Sequence, residues 1–276
     1  MLQYTFKTFN ALLYTIRPSA TIGACMLTLA AFNPQKSEMS LVIPLMTAAF
    51  FGSSFCFLVN DIYDKEKDLL NKKTRPIATG VLSIKVAVGS SIFSMLVLLI
   101  SAWFLGVYTF VLSFGFLAIA ITYSYLNAKT GLFANMLVAL IVSGTQWGVA
   151  IIKPDEYLWI IAFFLFFFTI PREVLLDWLD LPGDQKSGKK SFPMNYSPAK
   201  VKLLVWISLI LCTSSIFFIL DQNSNALSLT FFVLALITSW ASFVPFFRST
   251  NDRGALLSVR WSHMTFAFLI LALFCR

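Results

Sequence analysis

Nine stretches of about twenty mostly apolar residues follow one another through this 276-residue chain, at roughly 11–32, 40–59, 86–104, 107–126, 133–152, 157–176, 202–220, 227–247 and 255–275. A hydrocarbon core about 30 Å thick is crossed by a helix of ~20 such residues, because a helix satisfies its own backbone polar groups there. The pattern predicts an all-α, polytopic membrane protein with nine transmembrane helices in a single domain over residues 1–276. Eight is the alternative if the first stretch is re-entrant. The third and fourth stretches are expected to form a tight hairpin around Gly106.

Composition removes the soluble alternatives. Apolar residues make up 58% of the chain and charged ones 12%, against roughly 25% charged in a soluble domain. A compact body in water needs a mostly polar skin, and 29 phenylalanines have nowhere to hide in a fold of this length. A soluble enzyme, a disulfide-stapled secreted domain and a disordered chain are therefore excluded. Cys25, Cys56, Cys212 and Cys275 stand singly in apolar stretches, without metal-ligand or redox spacing. The single histidine, His263, rules out a His-based zinc site. The first residues mix polar and apolar types and carry no signal-peptide pattern.

In such a chain the net charge of +8 reports topology, and no nucleic-acid partner is expected. With the N-terminal side taken as inside, 15 basic residues lie there, among them Lys7, Lys129, Arg248, Arg253 and those of the loops 61–85 and 177–202. Three lie outside, Lys36, Lys153 and Arg276. The positive-inside rule then places the N-terminus and both loops in the cytoplasm. Arg17, Arg172 and Arg260 fall within spans, where a charge is expensive and calls for a purpose. Arg260, Trp261 and His263, together in the last span, are read as structural contacts.

Eight of the 13 acidic residues form two clusters on that same side: Asp61, Asp64, Glu66 and Asp68, then Glu173, Asp177, Asp180 and Asp184. Both carry the spacing D-x2-D-x3-D, offset by 116 residues, and each precedes a basic tract ending in proline, Lys72-Lys73-Thr74-Arg75-Pro76 and Lys189-Lys190-Ser191-Phe192-Pro193. An internal duplication in parallel orientation is the natural suggestion. On a helix, positions i, i+3 and i+7 fall within about 60° of one face. Asn60 extends the first stripe and Glu173 the second, while Pro182-Gly183 is expected to end the second helix and leave Asp184 on a loop.

Like charges on one stripe repel each other, and at a helix C-terminus they oppose the macrodipole, so a cation should compensate. Oxygen ligands without His or Cys point to a hard cation, Mg2+ if phosphates complete its shell. Carboxylates, Mg2+ and Lys/Arg together make a diphosphate site. The bilayer supplies an apolar chamber for a lipid attached to that diphosphate.

Here the residues resemble a known family. Asn60-Asp61-Ile62-Tyr63-Asp64-x3-Asp68 followed by Arg75-Pro76-Ile77-Ala78-Thr79-Gly80 is similar to the first aspartate-rich motif of the UbiA superfamily of intramembrane prenyltransferases. Arg172-Glu173-x3-Asp177-x2-Asp180-x2-Gly183-Asp184-x3-Gly188-x2-Ser191-x-Pro193 resembles the second. Arg17-Pro18 and Tyr123-Ser124…Lys129…Asn135 also fit, so the resemblance runs over about residues 11–195. It implies nine transmembrane helices around a central cavity, two Mg2+ ions, a polyprenyl diphosphate donor and a lipophilic acceptor. By the match, Asn60, Asp64, Asp68, Asp177, Asp180 and Asp184 serve the metals, and Asp61, Asp64, Asp177 and Asp180 are the catalytic carboxylates. Arg17, Lys67, Arg75, Tyr123, Lys129, Arg172 and Lys189 are the candidates for diphosphate contact or for orienting the metal ligands.

The reaction implied is ionisation of an allylic diphosphate, followed by attack from an aromatic carbon or a hydroxyl oxygen. The second motif looks closest to the branch that prenylates glycerol-phosphate lipids, chlorophyllide or homogentisate, with no choice among these. Two alternatives stay open. A terpene cyclase of the same superfamily lets the cation close on its own chain. A cation-coupled transporter is the third, disfavoured because its acids belong near the midplane whereas these lie at helix ends. The aromatic excess, including Phe163–Phe168 and Trp147, is read mainly as packing, with stabilisation of a carbocation as the rarer use.

Overall fold

The structure is a computed structural model that describes residues 2–35, 38–71, 74–126, 131–220 and 225–276. Among the described residues it is helical throughout, without strands. The helices are α1 (Leu2–Thr15), α2 (Pro18–Phe32), α3 (Met39–Tyr63), α4 (Lys65–Leu70), α5 (Ile84–Leu105), α6 (Val107–Leu126), α7 (Leu132–Ile152), α8 (Glu156–Ser187), α9 (Phe192–Asn195), α10 (Pro198–Leu220), α11 (Ala226–Arg248) and α12 (Asp252–Phe274). Eight of them are long and apolar enough to cross a bilayer: α3, α5, α6, α7, α8, α10, α11 and α12. The segments Phe6–Thr15 and Pro18–Phe32, bent by 53°, add a ninth span if the pair counts as one.

That bend corrects the continuous first helix expected over 11–32. The ring of Pro18 disfavours the α region at the residue before it, which ends α1 there, and Arg17 stands at the break with φ +50°. The Ile16 carbonyl, released from the helix ladder, accepts a hydrogen bond from the Thr21 hydroxyl at 2.7 Å. A second correction concerns α8, which passes through Pro171 and Pro182 and ends at Gly188 instead of at Pro182-Gly183. Asp184 is therefore helical. Gly188 takes the left-handed conformation at φ +72°, which turns the chain back after the last helical residue. The two aspartate motifs accordingly lie on helix ends more than on the loops 61–85 and 177–201.

The spans are apolar on all sides, so small residues mark the faces that pack. In α5 the buried positions are Ala87, Ser91, Ser94, Leu98, Ser101 and Ala102, a single stripe. Without a hydrophobic drive between helices in lipid, close backbone approach supplies the attraction, and small side chains permit it. Their hydroxyls stay satisfied by turning back on their own helix, as Ser54 does to the Phe50 carbonyl at 2.8 Å and Ser124 to that of Ala120 at 2.9 Å.

The chain divides into two compact units, Met1–Leu29 with Pro34–Leu126, and Ala30–Asn33 with Asn127–Arg276. In the first, α3 packs against α5 and α6, and α1 touches α3. In the second, α8 is central, packed against α7, α10 and α12, while α11 and α12 form a close hairpin. Gly254 makes that hairpin possible, because a Cβ there would lie 2.0 Å from the Ser249 carbonyl oxygen. Phe164, Phe168, Phe232, Phe243 and Phe246 are fully buried in this unit. The Phe164–Phe168 rings of the aromatic run are thus packing groups, with Phe168 edge-on to Phe243 and Phe266 at 6.1 and 5.5 Å.

Candidate active site

In the first unit, α3 carries Asn60 and Asp61 on its last turn and ends at Asp64, where φ −84° and ψ 4° bend the backbone before α4 begins. Hydrogen bonding bridges the break: Asp64 N–H donates to the Asn60 carbonyl at 2.9 Å and Asp68 N–H to that of Asp64 at 2.8 Å.

Asp61 is buried, with none of its side chain exposed. Arg17 donates to its Oδ1 at 2.7 Å, and Arg75 stands 3.9 Å from its Oδ2. The kink at Pro18 is what aims Arg17 this way, and its guanidinium also lies 4.6 Å above the Phe57 ring, a cation–π contact. Arg75 is fixed from behind. Thr79 N–H bonds to its carbonyl and Leu82 N–H to that of Pro76, both at 2.9 Å. Ile77 and Leu82 plug this turn into Ala11 and Ala87, with Leu12 and Ile62 against them. Lys67 donates to Asp64 Oδ2 at 2.8 Å. Asp68 is buried, and Tyr123 is half-buried near the end of α6. The Asn60 Oδ1 is buried and accepts no hydrogen bond, an acceptor left over for a donor or a cation. Lys129, like Lys72 and Lys73, lies outside the described residues.

In the second unit the last turns of α8 present Asp177, Asp180 and Asp184. Asp177 Oδ1 accepts from Lys189 Nζ at 2.8 Å and its Oδ2 from the Asn135 amide of α7 at 2.9 Å. Lys189, 3% exposed, also stands 3.6 Å from Asp184 Oδ2. It reaches back because Gly188 reverses the chain, with Lys189 N–H donating to the Asp184 carbonyl at 3.0 Å. Asp180 is half-buried. Arg172 donates to Glu173 Oε1 at 2.7 Å, a pair one turn before Asp177. Gly131, which opens α7, brings the Asn135 helix against the same segment: a Cβ there would stand 3.2 Å from the Lys190 carbonyl oxygen.

Among the described residues no three carboxylates converge into a ready cation cage. Each unit instead offers two oxygen-bearing side chains at a helix end, Asn60 with Asp64 and Asp177 with Asp180. A carboxylate has about four lone-pair positions, and Asn135 and Lys189 use two on Asp177. The set fits Mg2+, which takes one or two carboxylates and fills its octahedron with water and phosphate oxygens. Asn135 is the participant that the aspartate spacing did not assign. Its match to the middle pattern marked the position, but only the α7–α8 contact gives it a role.

The fold and these sites define an integral membrane protein whose carboxylates, partnered by cations and an amide, gather at the ends of apolar helices. More specifically, the chain belongs to the UbiA prenyltransferase family, which it matches over residues 19–273, and it is a prenyltransferase. It is 30% identical over 217 residues to the digeranylgeranylglyceryl phosphate synthase of Methanobrevibacter smithii, covering 73% of this chain and 74% of that one. Its fold is similar to that of a UbiA homologue from Aeropyrum pernix K1, with a TM-score of 0.77 at 16% identity over 92% of this chain and 98% of that one. A UbiA homologue from Archaeoglobus fulgidus bound to GPP and Mg2+ gives a TM-score of 0.67 at 18% identity, over 94% and 99% of the two chains.

Proposed function

We propose that the protein transfers a prenyl group from a polyprenyl diphosphate to the hydroxyl of a glyceryl-phosphate lipid, at the cytoplasmic side of the membrane and with Mg2+. The observation that carries this is the pair of buried carboxylates, each clasped by fixed donors: Asp61 by Arg17 and Arg75, Asp177 by Lys189 and Asn135. Electrostatic groups that need no reorganisation stabilise developing charge best. The name of the Methanobrevibacter smithii relative supports the acceptor, and the GPP and Mg2+ of the Archaeoglobus fulgidus homologue support the donor and the ion.

In this reading Asn60 and Asp64 would hold one Mg2+ and Asp177 and Asp180 a second, with Asp68 and Asp184 completing the acidic set. Mg2+ held there would offset the charge of the diphosphate and make it a better leaving group. Arg17, Lys67 and Arg75 take up charge on the departing pyrophosphate as the allylic C–O bond breaks. The apolar spans keep water from the allylic cation. The acceptor hydroxyl oxygen then bonds to the prenyl carbon, and its proton leaves with the pyrophosphate.

The test is product analysis. Purified protein with geranylgeranyl diphosphate, geranylgeranylglyceryl phosphate and Mg2+ should yield the doubly prenylated lipid and one pyrophosphate per product. Asp64→Ala and Asp180→Ala should each retain under a tenth of that rate, a barrier increase above about 1.4 kcal/mol. Turnover by either variant near the wild-type rate removes the site assignment.

A further inference from the structure

Arg260 lies on an exposed face of α12 together with Arg253, Leu256, His263 and Met264. It stands eight residues into the helix, about 12 Å from its start at a rise of ~1.5 Å per residue. Among the described residues no carboxylate lies within ion-pair distance of it. A guanidinium at this depth in an apolar helix calls for water, a backbone carbonyl or an anion beside it.

Contacts within the second unit fix its height. Ring pairs run in step along α8 and α11, Phe164 with Phe232 and Trp178 with Phe246, so these two helices are parallel. The Ser228 hydroxyl bonds to the Ala272 carbonyl and Phe246 N–H to the Ser258 hydroxyl, so α11 and α12 are antiparallel. It follows that α8 and α12 are antiparallel, and the Phe168–Phe266 contact sets their register. His263 is then level with Arg172 to within a residue, and Arg260 with Val174. That is roughly one turn, ~5 Å, further into the bilayer than Asp177. Arg172 is close enough for its charge to act on His263. One of its nitrogens is used by Glu173, and its buried Nε has no hydrogen-bond partner. Arg260, one turn from His263 on the same face of α12, thus lies at the level of a second guanidinium, itself ion-paired with Glu173. Two guanidiniums and an imidazole donor gather at one height.

We propose that Arg260, His263 and Arg172 form a second anion site, which holds the phosphate of the acceptor lipid. A guanidinium matches two phosphate oxygens at once, and the imidazole adds a further donor. The site belongs to the second unit, whereas Arg17, Lys67 and Arg75, assigned to the donor diphosphate, belong to the first. A phosphate held at the level of Val174 leaves a glycerol hydroxyl, two carbons away, at the height of the Asp177–Asp180 turn. The assignment of the ligand rests on the transfer reading, but its test does not.

The test is equilibrium binding of radiolabelled geranylgeranylglyceryl phosphate to the full-length protein in non-ionic detergent, with EDTA and without donor. Under these conditions neither metal nor turnover contributes. Arg260→Gln and His263→Gln should each weaken binding tenfold or more, and Arg260→Lys, which keeps the charge but loses the two-pronged contact, should fall between wild type and Arg260→Gln. The dephosphorylated lipid should bind wild type and Arg260→Gln alike. Equal phosphate-lipid affinity in wild type and Arg260→Gln overturns the proposal. So does equal competition by phosphatidylglycerol, which would make the cluster an anchor for bulk headgroups. Melting curves verify folding, and if Arg260→Gln unfolds, His263→Gln against Arg260→Lys decides alone. Loss of transfer by wild type with normal phosphate-dependent binding would count against the reaction and leave this site standing.

Discussion

The side-chain amide of Asn135, on the first turn of α7, donates to Asp177 Oδ2 at 2.9 Å while Lys189 occupies Oδ1 at 2.8 Å. One carboxylate is thus oriented by a neutral donor from a neighbouring helix and a buried cation from its own C-terminal turn. Both oxygens point where these donors fix them, with further lone pairs available to a metal.

Removing the amide leaves Asp177 with one tether. Asn135→Ala should lower turnover about 10–100-fold, the range found when a group orienting a metal ligand is lost. The loss should come with a raised Mg2+ concentration at half-maximal rate, because the affected step is metal capture. An Mg2+ titration with unchanged midpoint would show that Asn135 does not act through Asp177.

Lys189 is the greater structural risk. Its ammonium serves Asp177 and stands beside Asp184, and both carboxylates are buried. Breaking a buried pair from one side strands charge, at a cost of about 3–5 kcal/mol. Lys189→Met should therefore lower the melting temperature in detergent, whereas Lys189→Arg should recover most of it. Gly188→Ala should be destabilised as well, by about 1 kcal/mol, since φ +72° suits glycine. A melting temperature for Lys189→Met equal to wild type would refute the buried-pair account.

Much of this architecture is legible in the chain because a bilayer accepts few solutions. The stretch 107–126 is α6 to the residue, and 86–104 lies within α5, Ile84–Leu105. Length and apolarity suffice where the solvent dictates helix. The two aspartate motifs are legible for a related reason, since clustered carboxylates beside lipid demand an explanation. What local pattern does not contain is the approach of one helix to another. Asn135 and Asp177 are 42 residues apart, and no periodicity announces that α7 sets its first turn against the last turns of α8. The helix breaks were misjudged in opposite ways. Pro18 interrupts an apolar run that looked continuous, while Pro182 is carried inside α8 and the stop falls at Gly188. A proline removes one N–H and crowds one preceding turn, and the surrounding packing decides whether the helix bends, breaks or continues.

Orientation is open to direct measurement. The basic excess on one side predicts that both aspartate motifs face the cytoplasm. In a background with Cys25, Cys56, Cys212 and Cys275 replaced, Leu70→Cys and Ser187→Cys should react with an impermeant maleimide only from the cytoplasmic face. Gln35→Cys should react only from the outside. Labelling of positions 70 and 187 from opposite faces would overturn the cytoplasmic assignment of the two motifs.

The last prediction separates transfer from cyclisation. In a transferase the cation formed without acceptor has no productive partner, and the acceptor helps complete the site, so ionisation is slow until it binds. In a cyclase the nucleophile is a double bond of the same chain, and pyrophosphate release needs nothing more. With geranylgeranyl diphosphate and Mg2+ alone, this protein should release pyrophosphate slowly. Adding geranylgeranylglyceryl phosphate should accelerate release at least tenfold, with one prenylated lipid formed per pyrophosphate. Because Arg260 is assigned to the acceptor and not to the donor, Arg260→Gln should keep the slow release and lose most of the acceleration. Rapid release from donor alone, with a cyclic hydrocarbon or terpene alcohol as the only organic product, would make the cyclase the correct reading of the same carboxylates.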